Sequence, residues 1–205
     1  MTDSVAGATL VVLVRHGLPE VDGSTDPGLS EMGRQQAVAV ADLLALEKPA
    51  AVYSSHLKRA QQTAAPLAER LGLDVVVDAD FREWESYTPQ PHYRPPEQLQ
   101  GSPRRQAYLE GRFEDFLPPH DAAGLQSRVA AATSRAAAAA PGSTVVVASH
   151  GGAINSLVAL VVGAPTTFLF DPAYCGLSRV LVMPDGRFVL VSVNEALHVL
   201  NIGGT

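Results

Sequence analysis

Short apolar runs alternate with longer amphipathic segments along most of this chain. Four runs rich in Val, Leu and Ala have the length of buried strands, and their near-continuous apolar character is typical of strands covered on both faces. Strands are predicted over 9–14, 50–55, 74–78 and 144–149, and helices over 30–46, 57–71, 123–140 and 152–163. The alternation predicts an α/β fold: a three-layer α/β/α sandwich with a mostly parallel central sheet flanked by helices.

Two parts of the chain depart from this alternation. Residues 176–194 hold two apolar runs around Pro184-Asp185-Gly186, which predicts a β-hairpin. Residues 84–120 are rich in proline, aromatic residues and arginine, and we expect a loop-rich cap or lid insertion there, with at most one short helix near 104–112. The whole chain, 1–205, is expected to form a single domain.

Composition restricts the partners that this chain can take. The 205 residues carry a net charge of −6, and the isoelectric point is about 5.4, so no global positive field attracts nucleic acid or anionic membrane. The single cysteine excludes an internal disulfide. No basic stretch followed by a long apolar run opens the chain, and the longest apolar stretch, 154–164, is too short to span a bilayer. We expect a cytoplasmic protein that captures anions by local arginines; its apolar hairpin is a candidate for pairing in a homodimer.

Two predicted strands end in a histidine followed by glycine. "VRHG" closes the first strand and "ASHGG" closes the fourth, so that His16 and His150 stand at strand ends, with Arg15 beside the first. One such histidine is most often a hydrogen-bonded residue at a strand terminus, but two of them form a much stronger signal. Ligands bind beyond the carboxyl ends of parallel strands, and the pair therefore indicates a site at that edge of the sheet.

Other polar residues follow the second and third strands. In "YSSHLKRAQQTA", Arg59 and Thr63 stand four residues apart on one helix face, and "DFREWESY" offers Glu83 and Glu85. Two arginines and two histidines at one edge would form a pocket for a dianionic group, because guanidinium matches phosphate oxygens bidentately. A neutral imidazole can attack phosphorus, and a carboxylic acid can protonate the leaving oxygen. This reasoning leaves open which histidine attacks and which glutamate donates.

A zinc site is the alternative use of histidine and carboxylate side chains. His16, His150 and Glu83 are residue types that bind zinc. The arginine next to His16 argues against this, because a guanidinium there would repel a metal ion. We therefore expect no metal and no cofactor.

Six motifs together resemble the histidine phosphatase superfamily, in its phosphoglycerate mutase-like branch (branch 1). They are "LVRHG", "LSEMGRQQA", "SSHLKRAQQTA", the glutamate after the third strand, "VVASHGG" and "SVNEALHVL", and they occur in the family's order. The resemblance implies a phosphoglycerate mutase-like fold and metal-independent phosphoryl transfer. It also implies roles for particular residues: His16 as the nucleophile that becomes phosphorylated, Arg15 and Arg59 as grips for the phosphoryl oxygens, His150 as a hydrogen-bond donor to that group, Glu83 as proton donor, and Gly17 and Gly151 as positions where the backbone approaches the phosphate. Thr63, which shares a helix face with Arg59, is a further substrate-binding candidate from its spacing.

The chain departs from the family pattern at two places. Leu18-Pro19-Glu20 follows the first motif, where the family often has Glu-Thr and a nearby Asn that contacts phosphate. The acid segment "EWESYTPQ" lacks the family's glycines; Glu83 fits the spacing best and Glu85 is the reserve. In the cap, Arg94, Arg104 and Arg105 would meet a second anionic group on the substrate, although solvated surface arginines are the simpler interpretation.

The resulting hypothesis is a phosphatase that hydrolyses a small phosphate monoester through phospho-His16. The first alternative is a phosphate-binding or regulatory module of the same fold that has lost turnover, which the altered acid segment would explain. A phosphoglycerate-type mutase is less well supported, because the Glu-Ser and Asn stretch of the family's mutases is absent after the first motif.

Overall fold

The computed structural model describes residues 7–84, 103, 106, 107, 110, 112 and 121–202. The predicted helices and strands are all present, with ends within three residues of those expected. In chain order they are β1 (Thr9–Arg15), α1 (Glu31–Ala45), β2 (Ala51–Ser54), α2 (Lys58–Leu71), β3 (Val75–Val77), α3 (Ala122–Ala138), β4 (Thr144–Ser149), α4 (Gly151–Val162), β5 (Leu177–Val182) and β6 (Phe188–Glu195).

Local signals in the sequence explain where the helices begin and end. The Ser30 side chain accepts a hydrogen bond from the Gly33 amide and caps α1, and Asp121 caps α3 in the same way. Helices α2 and α4 both end at glycines in the left-handed conformation, Gly72 and Gly163, which adopt it at no steric cost.

The six strands form one sheet in the order β3-β2-β4-β1-β5-β6. Strands β3, β2, β4 and β1 pair in parallel, and the C-terminal hairpin β5–β6 joins β1 in antiparallel fashion. Along β1, Val11 and Leu13 pack among residues of α3 and α4, whereas Val12 and Val14 pack among residues of α1 and α2. The three-layer α/β/α architecture with a mostly parallel sheet is therefore confirmed, and the hairpin accounts for its antiparallel part.

The register of the parallel strands determines where the site lies. Arg15 at the end of β1 pairs with Ser149 at the end of β4, and Ser54 at the end of β2 pairs with Ala148. Strand β5 begins at this same edge, since Leu177 pairs with Val14. The carboxyl ends of three parallel strands and the loop that enters β5 therefore meet at one edge of the sheet.

Strand β6 of the hairpin is an edge strand of the sheet, at the opposite end from β3. Val189, Val191 and Val193 on this edge strand are exposed. Pairing of the hairpin in a homodimer stays a prediction. Within 7–84 and 121–202 and the few described residues between them, no helix combines the length and the apolar character that a membrane crossing requires.

The cap prediction falls mainly outside the described residues. Pro103, Gln106 and Ala107 are helical, in agreement with a short helix near 104–112. Glu85 and the cap arginines Arg94, Arg104 and Arg105 lie outside the described residues, so their proposed roles stay predictions.

Candidate active site

Four buried cationic or imidazole side chains meet at the carboxyl edge of the sheet. Arg15 ends β1 and His16 follows it, Arg59 lies in the first turn of α2, and His150 stands between β4 and α4. None of the four is more than 6% exposed. The imidazole rings of His16 and His150 lie 5.2 Å apart between centroids, tilted by 58°. We call this group the cation cradle.

The contacts of His16 determine which of its ring nitrogens carries the proton. Nδ1 lies 2.8 Å from the Gly17 carbonyl oxygen, which can only accept, so Nδ1 is the protonated nitrogen. Nε2 accepts a hydrogen bond of 3.2 Å from Nε of Arg59 and therefore bears the lone pair. Burial, followed by the charges of Arg59 and Arg15, lowers the pKa of His16 well below its ordinary value. The ring is a neutral imidazole with an unprotonated Nε2.

The contacts of His150 fit the same tautomer as that of His16. The Ser55 hydroxyl oxygen accepts a hydrogen bond from the Leu57 amide and lies 2.6 Å from Nε2 of His150. When the hydroxyl donates its own proton to that nitrogen, the proton of the neutral ring is on Nδ1, which has no hydrogen-bond partner among the described residues. Burial, followed by the charges of Arg59 and the other nearby basic groups, lowers the pKa of His150. In the tautomer with the proton on Nδ1, His150 offers a buried N–H donor to the cradle.

The loop before β5 surrounds Arg15. Nη1 of Arg15 donates to the Pro172 carbonyl oxygen and lies 3.5 Å from a carboxylate oxygen of Asp171. Its guanidinium carbon stands 3.9 Å above the ring centre of the buried Tyr174, in cation–π geometry. On the other side of the cradle, Arg59 lies 3.7 Å from a carboxylate oxygen of Asp26. Both guanidinium groups are therefore held by neighbouring loops.

Gly17 and Thr63 connect the end of β1 to α2. The Gly17 amide donates to the Thr63 hydroxyl oxygen at 3.0 Å, and this hydroxyl donates to the Arg59 carbonyl oxygen at 2.7 Å. A Cβ atom on Gly17 would lie 2.5 Å from the Gly33 carbonyl oxygen, so close packing against α1 requires glycine here. At Gly151 the nearest atom to such a Cβ would be Nε of Arg15, at 3.8 Å.

Glu83 approaches the cradle from the segment after β3. Its Oε2 accepts from the Gly152 amide at 3.4 Å, in the first turn of α4, and its Oε1 accepts from the Trp84 amide at 3.0 Å. A Cβ atom on Gly152 would lie 2.4 Å from Oε1 and 2.3 Å from Cδ1 of Trp84. Only glycine at 152 leaves room for the carboxylate, and we call residues 78–84 the acid arm.

Two side chains fasten the acid arm to the rest of the molecule. The Ser149 hydroxyl donates to the Phe81 carbonyl oxygen at 2.8 Å. Nη1 of Arg128, from α3, donates to the carbonyl oxygens of Asp80 and Arg82, the latter at 3.1 Å. Half-burial, followed by the charge of Arg82, lowers the pKa of Arg128 to about 10, so it stays a cation at neutral pH. The position of Glu83 thus depends on β4 and α3.

Comparison with known proteins identifies the family. The model of the histidine phosphatase superfamily (branch 1) matches residues 11–196. The chain belongs to this family. It is 34% identical to a glucosyl-3-phosphoglycerate phosphatase of Mycolicibacterium vanbaalenii over 179 residues, covering 76% of this chain and 75% of that one. It is 28% identical to a metal-independent phosphoserine phosphatase of Arabidopsis thaliana over 211 residues, covering 95% and 85%.

A solved structure in the same family agrees with the fold. A mycobacterial glucosyl-3-phosphoglycerate phosphatase in complex with VO3 has a TM-score of 0.72 and 28% identity, over 90% of this chain and 98% of that one. Family membership and the named phosphatases among these relatives make this chain a phosphomonoesterase of the histidine phosphatase superfamily.

Sequence reasoning missed several residues of this histidine phosphatase site. Ser55 and Gly152 lie within two of the motifs, next to His56 and Gly151. The sequence therefore did contain a signal that these two residues belong to the site. Asp26, Asp171 and Tyr174 lie in loops without any such signal, and only the fold brings them to the arginines. The missed residues mainly hold the cradle in place.

Two other ionisable side chains, His56 and Cys175, are not members of the cation cradle. His56 is exposed, and Cys175 is buried, which raises the pKa of its thiol well above the ordinary value. Of the side chains that the structure describes, no three or more His, Cys, Asp or Glu residues form a group that could hold a metal ion.

Proposed function

We propose that this chain is a metal-independent phosphatase that hydrolyses a small phosphate monoester through a phosphohistidine on His16, with Glu83 as the proton donor. The observation that carries the proposal is the state of His16. Its Nδ1 proton is bonded to the Gly17 carbonyl, and its Nε2 lone pair faces Arg59 inside a buried cradle. A neutral imidazole whose Nε2 carries the lone pair, beside two guanidinium groups, is equipped to attack an anionic phosphoryl group once the phosphate takes over the hydrogen bond from Arg59.

In the first step, Nε2 of His16 forms a bond to phosphorus as the bond from phosphorus to the ester oxygen breaks. The Gly17 carbonyl stabilises the positive charge that develops on the imidazole. Arg15 and Arg59 neutralise the phosphoryl oxygens, and Nδ1–H of His150 donates to one of them. The Glu83 carboxyl group gives its proton to the departing alkoxide, which leaves as an alcohol.

In the second step, the Glu83 carboxylate takes a proton from water as the water oxygen attacks phosphorus. The bond between phosphorus and Nε2 breaks, which restores neutral His16 and releases inorganic phosphate. Glu83 ends the cycle protonated, ready for the next ester. The location of Glu83 supports this double role. Its carboxylate accepts a hydrogen bond from the amide of Gly152, which lies in the first turn of α4, two residues after His150.

The substrate class follows from the relatives rather than from the described residues. One relative is named for glucosyl-3-phosphoglycerate and another for phosphoserine. Both of these compounds carry a carboxylate near the phosphate ester. We therefore propose a small phosphate monoester of an organic acid or amino acid as the first substrate class to examine.

The decisive variant is His16→Ala. We expect the wild-type protein to hydrolyse p-nitrophenyl phosphate and at least one of O-phosphoserine, 3-phosphoglycerate and glucosyl-3-phosphoglycerate, equally well with and without EDTA. His16→Ala should lose activity on all of them, by at least about 10³-fold. Wild-type protein that is mixed with an ester labelled on phosphorus and then quenched in alkali should retain protein-bound label. Acid should release this label, because phosphohistidine is stable in alkali and hydrolysed in acid. The variant should retain none.

The controls for this experiment concern folding and binding. The melting temperature of His16→Ala shows whether the variant is folded at the assay temperature. Full activity in a folded His16→Ala protein would refute the proposal. Inorganic phosphate binding without hydrolysis of any ester would instead favour the binding-module alternative, and isomerisation of 3-phosphoglycerate without phosphate release would favour the mutase.

A further inference from the structure

The C-terminal motif "SVNEALHVL" has no part in the chemistry described above. Asn194 stands near the end of β6, and His198 lies in the 3-10 turn Leu197–Val199 that follows it. Because β6 runs antiparallel to β5, its end reaches the same edge of the sheet as the cation cradle: Glu195 pairs with Leu177, where β5 begins. The motif is therefore next to the loop that enters β5.

That loop, residues 171–176, holds Arg15, and we call it the arginine-holding loop. It supplies the Asp171 carboxylate, the Pro172 carbonyl oxygen and the Tyr174 ring to the guanidinium group. The Cys175 amide also donates to the carbonyl oxygen of Arg15 at 3.0 Å. The orientation of Arg15 thus depends on where this loop lies.

Asn194 fastens the first half of the arginine-holding loop. Its Oδ1 accepts from the Ala173 amide at 2.7 Å, and its Nδ2 donates to the Asp171 carbonyl oxygen at 3.1 Å. The side-chain amide therefore bridges the two residues on either side of Pro172. A Cβ atom on Gly176 would lie 2.7 Å from Oδ1 of Asn194, so a glycine there leaves the room that this contact needs.

His198 fastens the second half of the same loop. Its Nε2 lies 2.9 Å from the Cys175 carbonyl oxygen and donates to it. Cys175 has a φ of 56°, a left-handed conformation that is uncommon outside glycine and that needs support from its surroundings. The two hydrogen bonds of Asn194 and the one of His198 together hold the loop at three of its residues.

We propose that Asn194 and His198 are positioning residues that set the orientation of Arg15 for the phosphoryl group. They act through the arginine-holding loop and do not touch the substrate. The inference rests on the proposed function in one respect, the role of Arg15 as a phosphoryl grip. A small displacement of a group that binds the reacting phosphate is enough to lower affinity and rate strongly, so loosening this loop should weaken both.

The test measures the affinity for inorganic phosphate by calorimetry, together with kcat and KM on p-nitrophenyl phosphate. Asn194 has a φ of 53°, so Asn194→Gly keeps the backbone conformation and removes both hydrogen bonds. Lys48→Gly is the matched control, since Lys48 has a φ of 49° and an exposed side chain. We expect Asn194→Gly to weaken phosphate binding roughly 10-fold or more, and Lys48→Gly to leave it unchanged.

His198 provides a second, independent pair of variants. The side-chain amide of Gln can donate a hydrogen bond from the position of the imidazole Nε2. We therefore expect His198→Gln to bind phosphate more tightly than His198→Ala. A purely structural role would not require this rescue of phosphate affinity. This pair carries the test if Asn194→Gly does not fold. Phosphate affinity within twofold of wild type in folded His198→Ala, or in folded Asn194→Gly, would overturn the inference.

The phosphate measurement separates this inference from the proposed function. If wild type binds phosphate but hydrolyses no ester, the proposed function fails, and a weakened affinity in Asn194→Gly still supports the positioning role. If wild type hydrolyses esters through His16 and the variants bind phosphate normally, only the positioning role fails. A wild-type protein that binds no phosphate would overturn both.

Discussion

The cation cradle and the acid arm are constructed in different ways, although both serve the same phosphoryl group in the proposed reaction. The cradle residues stand at strand ends or in the first turn of a helix and are almost completely buried. Glu83 is only partly buried, follows a single 3-10 turn, and reaches the Gly152 amide at 3.4 Å. The sheet determines the position of the cradle, whereas hydrogen bonds to the backbone carbonyls of 80–82 determine the position of the arm.

This difference implies that phosphoryl binding and leaving-group protonation can be separated experimentally. A p-nitrophenolate leaves without a proton, whereas an alkoxide needs one, so only the alkyl ester requires the acid. Damage to the cradle should lower activity on both kinds of ester. Damage to the arm should slow the phosphorylation of His16 by the alkyl ester alone and leave phosphate binding intact. The later attack of water, in which Glu83 acts as the base, should slow equally for both esters.

The largest separation is expected from Glu83→Gln. We predict a loss of about 10²- to 10⁴-fold in the rate of His16 phosphorylation by O-phosphoserine, because the amide cannot donate a proton to the alkoxide. The loss in the same rate with p-nitrophenyl phosphate should be at least 10-fold smaller. Rapid-quench kinetics of phosphoenzyme formation from the two esters, with phosphate affinity measured in parallel, tests this directly.

Glu85→Gln is the matched control for that variant, as the reserve candidate from the sequence. Activity on both esters should stay close to wild type in Glu85→Gln. Equal losses in the rate of His16 phosphorylation by the two esters in Glu83→Gln would contradict the division between cradle and arm. A selective loss on O-phosphoserine in Glu85→Gln alone would assign the acid to Glu85.

A smaller separation is expected from Gly152→Ala. The added Cβ atom would overlap Oε1 of Glu83 and Cδ1 of Trp84, at 2.4 and 2.3 Å, so the arm must move away from α4. We predict a loss of roughly 10-fold in the rate of His16 phosphorylation by O-phosphoserine, with a much smaller loss for p-nitrophenyl phosphate. Unchanged phosphate affinity in the same variant is the internal control, and a loss of phosphate binding would show that the methyl group disturbs the cradle instead.

The sequence predicted the cradle well because its members are attached to regular structure. His16 and His150 follow continuous apolar runs, and parallel strands bring such ends to one edge of the sheet. Arg59 follows from helical spacing with Thr63 in the same way. The positions of these residues can be predicted from the strand and helix patterns alone, without predicting how the loops fold.

The loop contacts could not be predicted in the same way. Asp171 and Tyr174 reach Arg15 from a loop that is hydrogen-bonded to Asn194, about twenty residues later in the chain, and no local pattern encodes that contact. The sequence assigned Gly17 to close approach of the phosphate, whereas in the structure a Cβ at this position would meet the Gly33 backbone. A glycine in a motif does not reveal which neighbour requires it, because packing is decided by residues distant in the chain.

The last predicted effect concerns the stability of the cradle itself and not its activity. Burial and the nearby arginines lower the pKa values of His16 and His150 in the folded protein, whereas in the unfolded chain each is about 6.5. Above that pH both rings are neutral in either state, and their contribution to stability is fully present. As the pH falls below about 6.5, the unfolded chain binds protons that the folded protein does not, so the free energy of unfolding decreases. These two rings give a slope of at most about 2.7 kcal/mol per pH unit. Burial also lowers the pKa of His198, which adds to the decrease in the same direction.

Thermal unfolding between pH 8 and pH 5 in buffers without phosphate should therefore show a constant melting temperature down to about pH 6.5 and a decrease below it. Phosphate must be absent, because a ligand that binds only the folded state stabilises it. His16→Asn should show a shallower decrease, since one of the two rings no longer titrates. The surface carboxylates of Glu31 and Asp185, whose pKa values are lowered mainly by hydrogen bonds to neighbouring arginines, lose their contributions only at lower pH. A wild-type melting temperature that stays constant from pH 6.5 to pH 5 would mean that the cradle accepts a proton as readily as the unfolded chain does. The neutral state of the His16 ring would then be set by the pH of the solution and not by the fold.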